Sequence, residues 1–278
     1  MEVPWPLGPP DGRYLVRPLG DPDGSATHVV AFATLGAAER RRRRPGRDHR
    51  RVAPQPEPEP VATGRATVID VSDELPDEDA AQAWLHKAGE AELATGLAVL
   101  DRALHAHRVA AADPDARPVG RAQLLVARVG FGAGEEVADG VWTSARELPP
   151  PRPERRSRRA AIAPQARLAA ILGARQPALV CEELALRARS DLDLGRDRQA
   201  ALQLAAALEA ALAELASEPA ASGLSERRAE LAQLQAQAVR PASRAALAGE
   251  LDPTQAQAVA HALSRLEAAL RARAATLV

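Results

Sequence analysis

Aromatic side chains are nearly missing from this 278-residue chain, at 2% of residues. Alanine, leucine and valine must therefore fill any core. Alanine in particular favours helices that approach closely, because it has the highest helix propensity and no bulk to hold backbones apart. Lysine is reduced to Lys87, so the basic surface is almost all arginine. A GC-rich coding sequence produces the same excess of Arg, Ala, Gly and Pro, and an Arg cluster alone does not mark a phosphate site, well as guanidinium suits phosphate. The single cysteine, Cys181, has no partner for an intramolecular disulfide, which fits a reducing compartment. The longest uncharged apolar stretch, Val29 to Ala38, is far below the ~20 residues of a membrane span. Met1 to Pro10 has neither a basic nor an apolar signal region, so no signal peptide is expected and cytoplasm is the expected location. The net charge of −1 gives no global field toward nucleic acid or membrane.

Charge is present but unevenly placed. Residues 39–60 hold eight Arg against four acids, and residues 61–147 hold eight basic against fifteen acidic side chains. Residues 148–160 hold five Arg and only Glu154. The first basic segment continues into Pro54-Gln55-Pro56-Glu57-Pro58-Glu59-Pro60, which has no apolar periodicity and is expected to be a disordered Arg/Pro-rich loop. The second contains Pro149, Pro150, Pro151 and Pro153 and reads as a linker. The expected organisation is a domain over 1–147, a linker over 148–160 and a helical domain over 161–278.

Tyr14–Val16 and Thr27–Leu35 are β-rich and flank Gly20-Asp21-Pro22-Asp23-Gly24, so a hairpin is expected. Ala66–Val71 reads as a third strand. Pro76 with Asp77, Glu78 and Asp79 opens a helix, the acids favouring the positive end of its dipole. Gly89 interrupts the pattern. Leu93, Leu97, Leu100 and Leu104 then mark a longer amphipathic helix. Gln123–Phe131 and Val141–Ala145 are expected as strands four and five. The order β-β-β-α-α-β-β implies an α+β domain, with an antiparallel or mixed sheet covered by two helices. Beyond residue 160 only helices are expected, near 164–173, 178–193, 196–216, 224–239, 242–249 and 253–276.

Most features that could carry chemistry have a plainer reading. Gly130-Phe131-Gly132-Ala133-Gly134 follows a strand, but the dinucleotide fingerprint would need a glycine where Glu135 stands, and Glu136 adds a second charge hostile to phosphate. His105 and His107 are two apart on a helix and do not face each other. His86 and Glu90 have the spacing of paired ligands, but Gly89 lies between them and no HExxH accompanies them. Cys181, beside Glu182 and Glu183, reads as structural. Asp70, Asp73, Glu74, Asp77, Glu78 and Asp79 read as helix-start charge and solvation. No cofactor, metal or catalytic constellation is expected. An enzyme site assembled from the acidic cluster and the Gly130–Gly134 turn is one alternative, and would need a deep pocket lined by Asp70, Asp73 and a histidine.

Two interaction features stand out. Arg40, Arg41, Arg42, Arg43 and Arg44 lie in the first basic segment, and Arg155, Arg156, Arg158 and Arg159 in the second. Such segments could neutralise phosphates, giving weak, salt-sensitive, sequence-independent nucleic-acid binding. In the helical half, Leu184, Ala188, Gly195, Ala200, Leu204 and Ala207 fall at the spacing of a paired-helix repeat. Residues 181–214 thus resemble a single tetratricopeptide-type hairpin. They depart from that pattern at Arg187 and Asp191, where it has a large apolar and an aromatic residue, and at Leu212, where it has proline. The resemblance implies a helical module that binds peptides or proteins. In the last helix Val259, Leu263, Leu266, Leu270 and Leu277 step by threes and fours, with Arg273 interrupting, which suits a bundle face or a short coiled-coil seam. Leu263, Leu266 and Leu270 are the candidate helical interaction surface. The expected function is a non-catalytic interaction or adaptor protein acting through its helical domain, on another protein or a second copy, with nucleic-acid association the second choice.

Overall fold

The computed structural model describes residues 1–18, 21, 23–36, 61–151, 158–216 and 224–276, with the side chains of 158–163 and 275–276 left out. The chain divides into two compact units, Met1–Pro153 and Glu154–Val278. Among the described residues no helix is long and apolar enough to cross a membrane.

The first unit is α+β. Strands β1 (Glu2–Val3), β2 (Gly12–Val16), β3 (His28–Leu35) and β4 (Thr63–Asp70) form an antiparallel sheet in the order β1-β4-β3-β2. β2 and β3 make the expected hairpin, pairing Tyr14 with Val30 and Leu15 with Val29. β1 has only two residues, too few to show any alternation, and was not foreseen. Asp77 caps helix α1 (Glu78–Lys87), its carboxylate accepting the Ala80 N–H at 2.7 Å. Gly89 ends that segment and precedes α2 (Glu90–Ala110), where Glu92 reaches back to the Gly89 N–H. The leucine stripe of α2 lies on the sheet, where Leu100 and Leu104 meet Val30, Phe32 and Ala66 in one buried cluster.

The end of this unit differs from expectation. Arg121–Gln123 forms a single 3₁₀ turn, and the strands are β5 (Arg128–Phe131) and β6 (Ser144–Glu147), a separate two-stranded sheet. Leu124 and Leu125 therefore belong to a connection rather than a strand. A second 3₁₀ turn, Glu135–Asp139, sits within the hairpin and ends on Gly140 with φ +80°, which pushes β6 past the predicted Val141.

The second unit is helical: α3 (Arg158–Leu172), α4 (Val180–Asp193), α5 (Asp197–Glu214), α6 (Leu224–Leu234), α7 (Arg240–Ala248) and α8 (Pro253–Thr276). α3 begins six residues before the expected start and takes in Arg158–Ala160, assigned above to the linker. α4 and α5 pack as the expected hairpin, turning at Gly195 with φ +67°. Alanines make the close approach possible: Ala188, Ala200, Ala201, Ala207 and Ala211 are fully buried. Between α6 and α7 the helix widens into a π turn at Gln235–Val239, whose following N–H, on Arg240, reaches the Gln235 carbonyl. Pro241 supplies the reason. It has no N–H for the carbonyl four residues back, so the ladder relaxes just before it.

Candidate functional site

The Arg clusters come first. Arg40, Arg41, Arg42, Arg43, Arg44, Arg155 and Arg156 lie outside the described residues, while Arg158 and Arg159 open α3. Leu263, Leu266 and Leu270 require a correction. They are 0%, 0% and 8% exposed and pack with Leu204, Leu208 and Val259, so they are core rather than an interaction surface. A three-and-four stripe reports which side of a helix is apolar, and α8 turns that side inward.

Charged residues of the helical unit meet at one node. Glu182 accepts the Leu179 N–H at 3.1 Å, pairs with Arg167 of α3 and stands 3.7 Å from Arg273 of α8. Arg273, which breaks the apolar stripe of α8, is thus buried beside an acid. Leu179 has no side-chain oxygen to cap α4. Glu214, at the end of α5, does so instead, accepting the N–H groups of Val180 and Cys181 at 2.9 and 3.0 Å. Burial raises the Glu214 carboxyl, but these N–H donors and the Cys181 thiol outweigh it and hold the group below its ordinary range. Burial, then the adjacent Glu214, pushes the Cys181 thiol up to about 12, which leaves it protonated and poorly nucleophilic near neutrality.

The acidic cluster of the first unit is likewise occupied locally. Asp70 accepts the Ser72 N–H and hydroxyl at 2.9 and 2.6 Å, and Asp77 caps α1. His86 and Glu90 fall on different helices, and Glu90 pairs with Arg121 at 3.1 Å. Among the described residues no three His, Cys, Asp or Glu side chains are grouped to hold a metal ion. The glycines of the 130–134 segment serve packing. A Cβ on Gly130 would stand 2.6 Å from that of Ala145 across the hairpin, and one on Gly132 would stand 2.8 Å from Val137.

A groove of about 380 Å³ lies between the edge strand β2 and α2. α2 lies over β3 and β4 and covers only the Val16 end of β2, leaving Tyr14 exposed. Phe32 forms the floor, Tyr14 and Val16 one wall, and Ala103, Ala106 and Ala110 the other. The Tyr14 ring stands edge-on to Phe32, with centroids 5.7 Å apart, and its hydroxyl donates to the Pro10 carbonyl at 2.9 Å. Arg17 and Arg102 close one end, where Arg102 donates to the Arg17 carbonyl and Arg17 to the Gly24 carbonyl at 3.0 Å. His107 lines the groove near Gly8. Neither Asp70 nor Asp73 lines it. Nothing in the sequence pattern marks this groove, because it depends on where α2 crosses the sheet.

No family model, curated protein or solved structure matches the chain.

Proposed function

We propose that the chain is a non-catalytic interaction protein whose helical unit contacts another protein through α3. The observation that carries this reading is the exposure of α3. Leu168 and Leu172 are 57% and 77% exposed, and none of the described side chains of α3 is buried. The remaining helices differ sharply, closing a continuous core around Leu204, Leu263 and Leu266. An amphipathic helix that leaves its leucines in water while its neighbours bury theirs is the form expected of a docking element. Arg167 holds it to Glu182, which fixes one point and leaves the apolar side available.

The test is chemical cross-linking in native lysate with light scattering of the purified protein, on the native chain and on a Leu168→Glu/Leu172→Glu variant. The reading expects a cross-linked partner or dimer that the variant loses. An adduct that survives the double substitution, or a monomer with no adduct in either protein, would overturn it.

A further inference from the structure

We propose that the groove beside β2 in the first unit receives an extended peptide from another protein, paired edge-to-edge with β2. An apolar side chain of that peptide would lie over Phe32, and a carboxylate would lie at Arg17 and Arg102. This goes beyond the α3 reading and uses a different unit.

Three observations converge on that occupant. β2 is the last strand of its sheet, with no strand on its outer side among the described residues. Exposed edges in folded proteins are ordinarily blunted by charge, proline or a bulge. Here the run Tyr14-Leu15-Val16 is apolar, with Tyr14 40% and Leu15 61% exposed. The one charged side chain in β2, Arg13, is drawn away to Glu135 and Asp139 at 3.0 and 3.2 Å. An open edge offers a second strand a row of main-chain donors and acceptors, which is what makes strand addition a recurring mode of peptide recognition.

The groove beside that edge has an apolar floor, with Tyr14 and Val16 on one wall and alanines on the other. At about 380 Å³ it lies at the small end of the roughly 300–1,000 Å³ range of ligand sites, a size that suits one or two side chains. The third observation is charge. Arg17 and Arg102 bond to backbone carbonyls, and among the described residues neither has a carboxylate partner. Yet residues 61–147 carry a clear excess of acids. Two guanidinium groups at the mouth of an apolar groove, in an acidic domain and with no carboxylate partner among the described residues, are complementary to an incoming carboxylate. The open edge decides between a peptide and a free carboxylic acid, since only a peptide uses all three features.

The test is selection of a displayed random-heptapeptide library against the full chain, with Ala106→Trp as counter-target. Ala106 is exposed on α2, so a tryptophan there fills the groove without entering the core. Peptides pairing an apolar residue with Asp or Glu, enriched on the native chain alone, are the expected result. The best would be labelled and titrated by anisotropy. Changing its acid to the amide, or Arg102→Gln or Arg17→Gln in the protein, should weaken binding roughly tenfold or more. N-methylation of alternate backbone nitrogens should abolish binding in one of the two phases, which needs no protein variant and so stands even if a substitution disturbs folding. No enrichment over the counter-target would overturn the proposal. So would binding indifferent to N-methylation in both phases, the behaviour of a simple apolar acid.

Discussion

The two units solve the packing problem in opposite ways. The helical unit gathers its buried residues from Cys181 to Leu270 into one cluster built almost wholly of Ala and Leu. The α+β unit divides its buried residues between two smaller clusters, one around Val30, Phe32 and Leu100 and another around Leu85, Leu93 and Val129. The groove opens at the margin of the first of these clusters, against Phe32, Val16 and Ala103, where the sheet runs out at β2, whereas in the bundle it is the outlying α3 that carries the exposed leucines. Aromatics are distributed in the same sense: Trp5, Tyr14, Phe32, Trp84, Phe131 and Trp142 all precede residue 150. Irregular space between a helix and a sheet needs large, shaped side chains, and parallel helices at close range do not.

Truncation should make the contrast measurable. Leu266→Ala, at a fully buried position in the single core, should cost about 3 kcal/mol in urea unfolding followed by circular dichroism at 222 nm. A loss below about 1 kcal/mol would mean that the bundle collapses around the gap and is looser than its burial indicates. Enlargement gives the next largest effect. Ala188→Leu, fully buried between α4 and α5, should destabilise by about 2 kcal/mol. The same change at Ala106, exposed in the groove, should be close to neutral by the same measurement. Equal costs at the two positions would erase the distinction between closed core and open groove.

The smallest effect concerns the polar node. Glu214→Gln should cost about 1–2 kcal/mol at pH 7, because a neutral amide caps α4 less well than a carboxylate. The folded carboxyl lies below its ordinary value of 4.5. Its contribution is therefore present above that pH and is lost as pH falls through the folded value, so the variant should show a flatter acid limb in stability against pH. The Cys181 thiol has the opposite sign. Raised from 9.0 to about 12, it stabilises the fold fully below pH 9 and less as pH rises toward 12. Native protein should accordingly resist alkylation at pH 8 and react once unfolded.

Much of the fold could be read locally. Asp77 and Gly89 delimit α1 and α2 because capping and backbone freedom act within a few residues. The α4–α5 hairpin follows from its Ala/Leu spacing and Gly195. What escaped depends on distant partners. β1 exists because Glu2 and Val3 find Arg65 and Gly64. The burial of Leu263, Leu266 and Leu270 depends on which way α8 faces, and that is set by its packing on α4, α5 and α6. Arg273 looked like an interruption because Glu182, its partner, lies ninety-one positions earlier. The groove was least visible of all. Tyr14, Phe32, Arg17 and Arg102 share no pattern in the sequence and meet only through the crossing of α2.

The alanine seam between α4 and α5 also shapes how this protein can change over generations. At Ala188, Ala200 or Ala207 every replacement except glycine adds atoms to a space already full, and glycine loosens the helix itself. Neutral drift at such a site has almost no first step. A tolerated enlargement must await a matching reduction across the seam, and the small residues there leave little to reduce. The sequence of this hairpin should therefore diverge slowly and in coupled pairs, while the walls of the groove, open to water, remain free to vary one residue at a time.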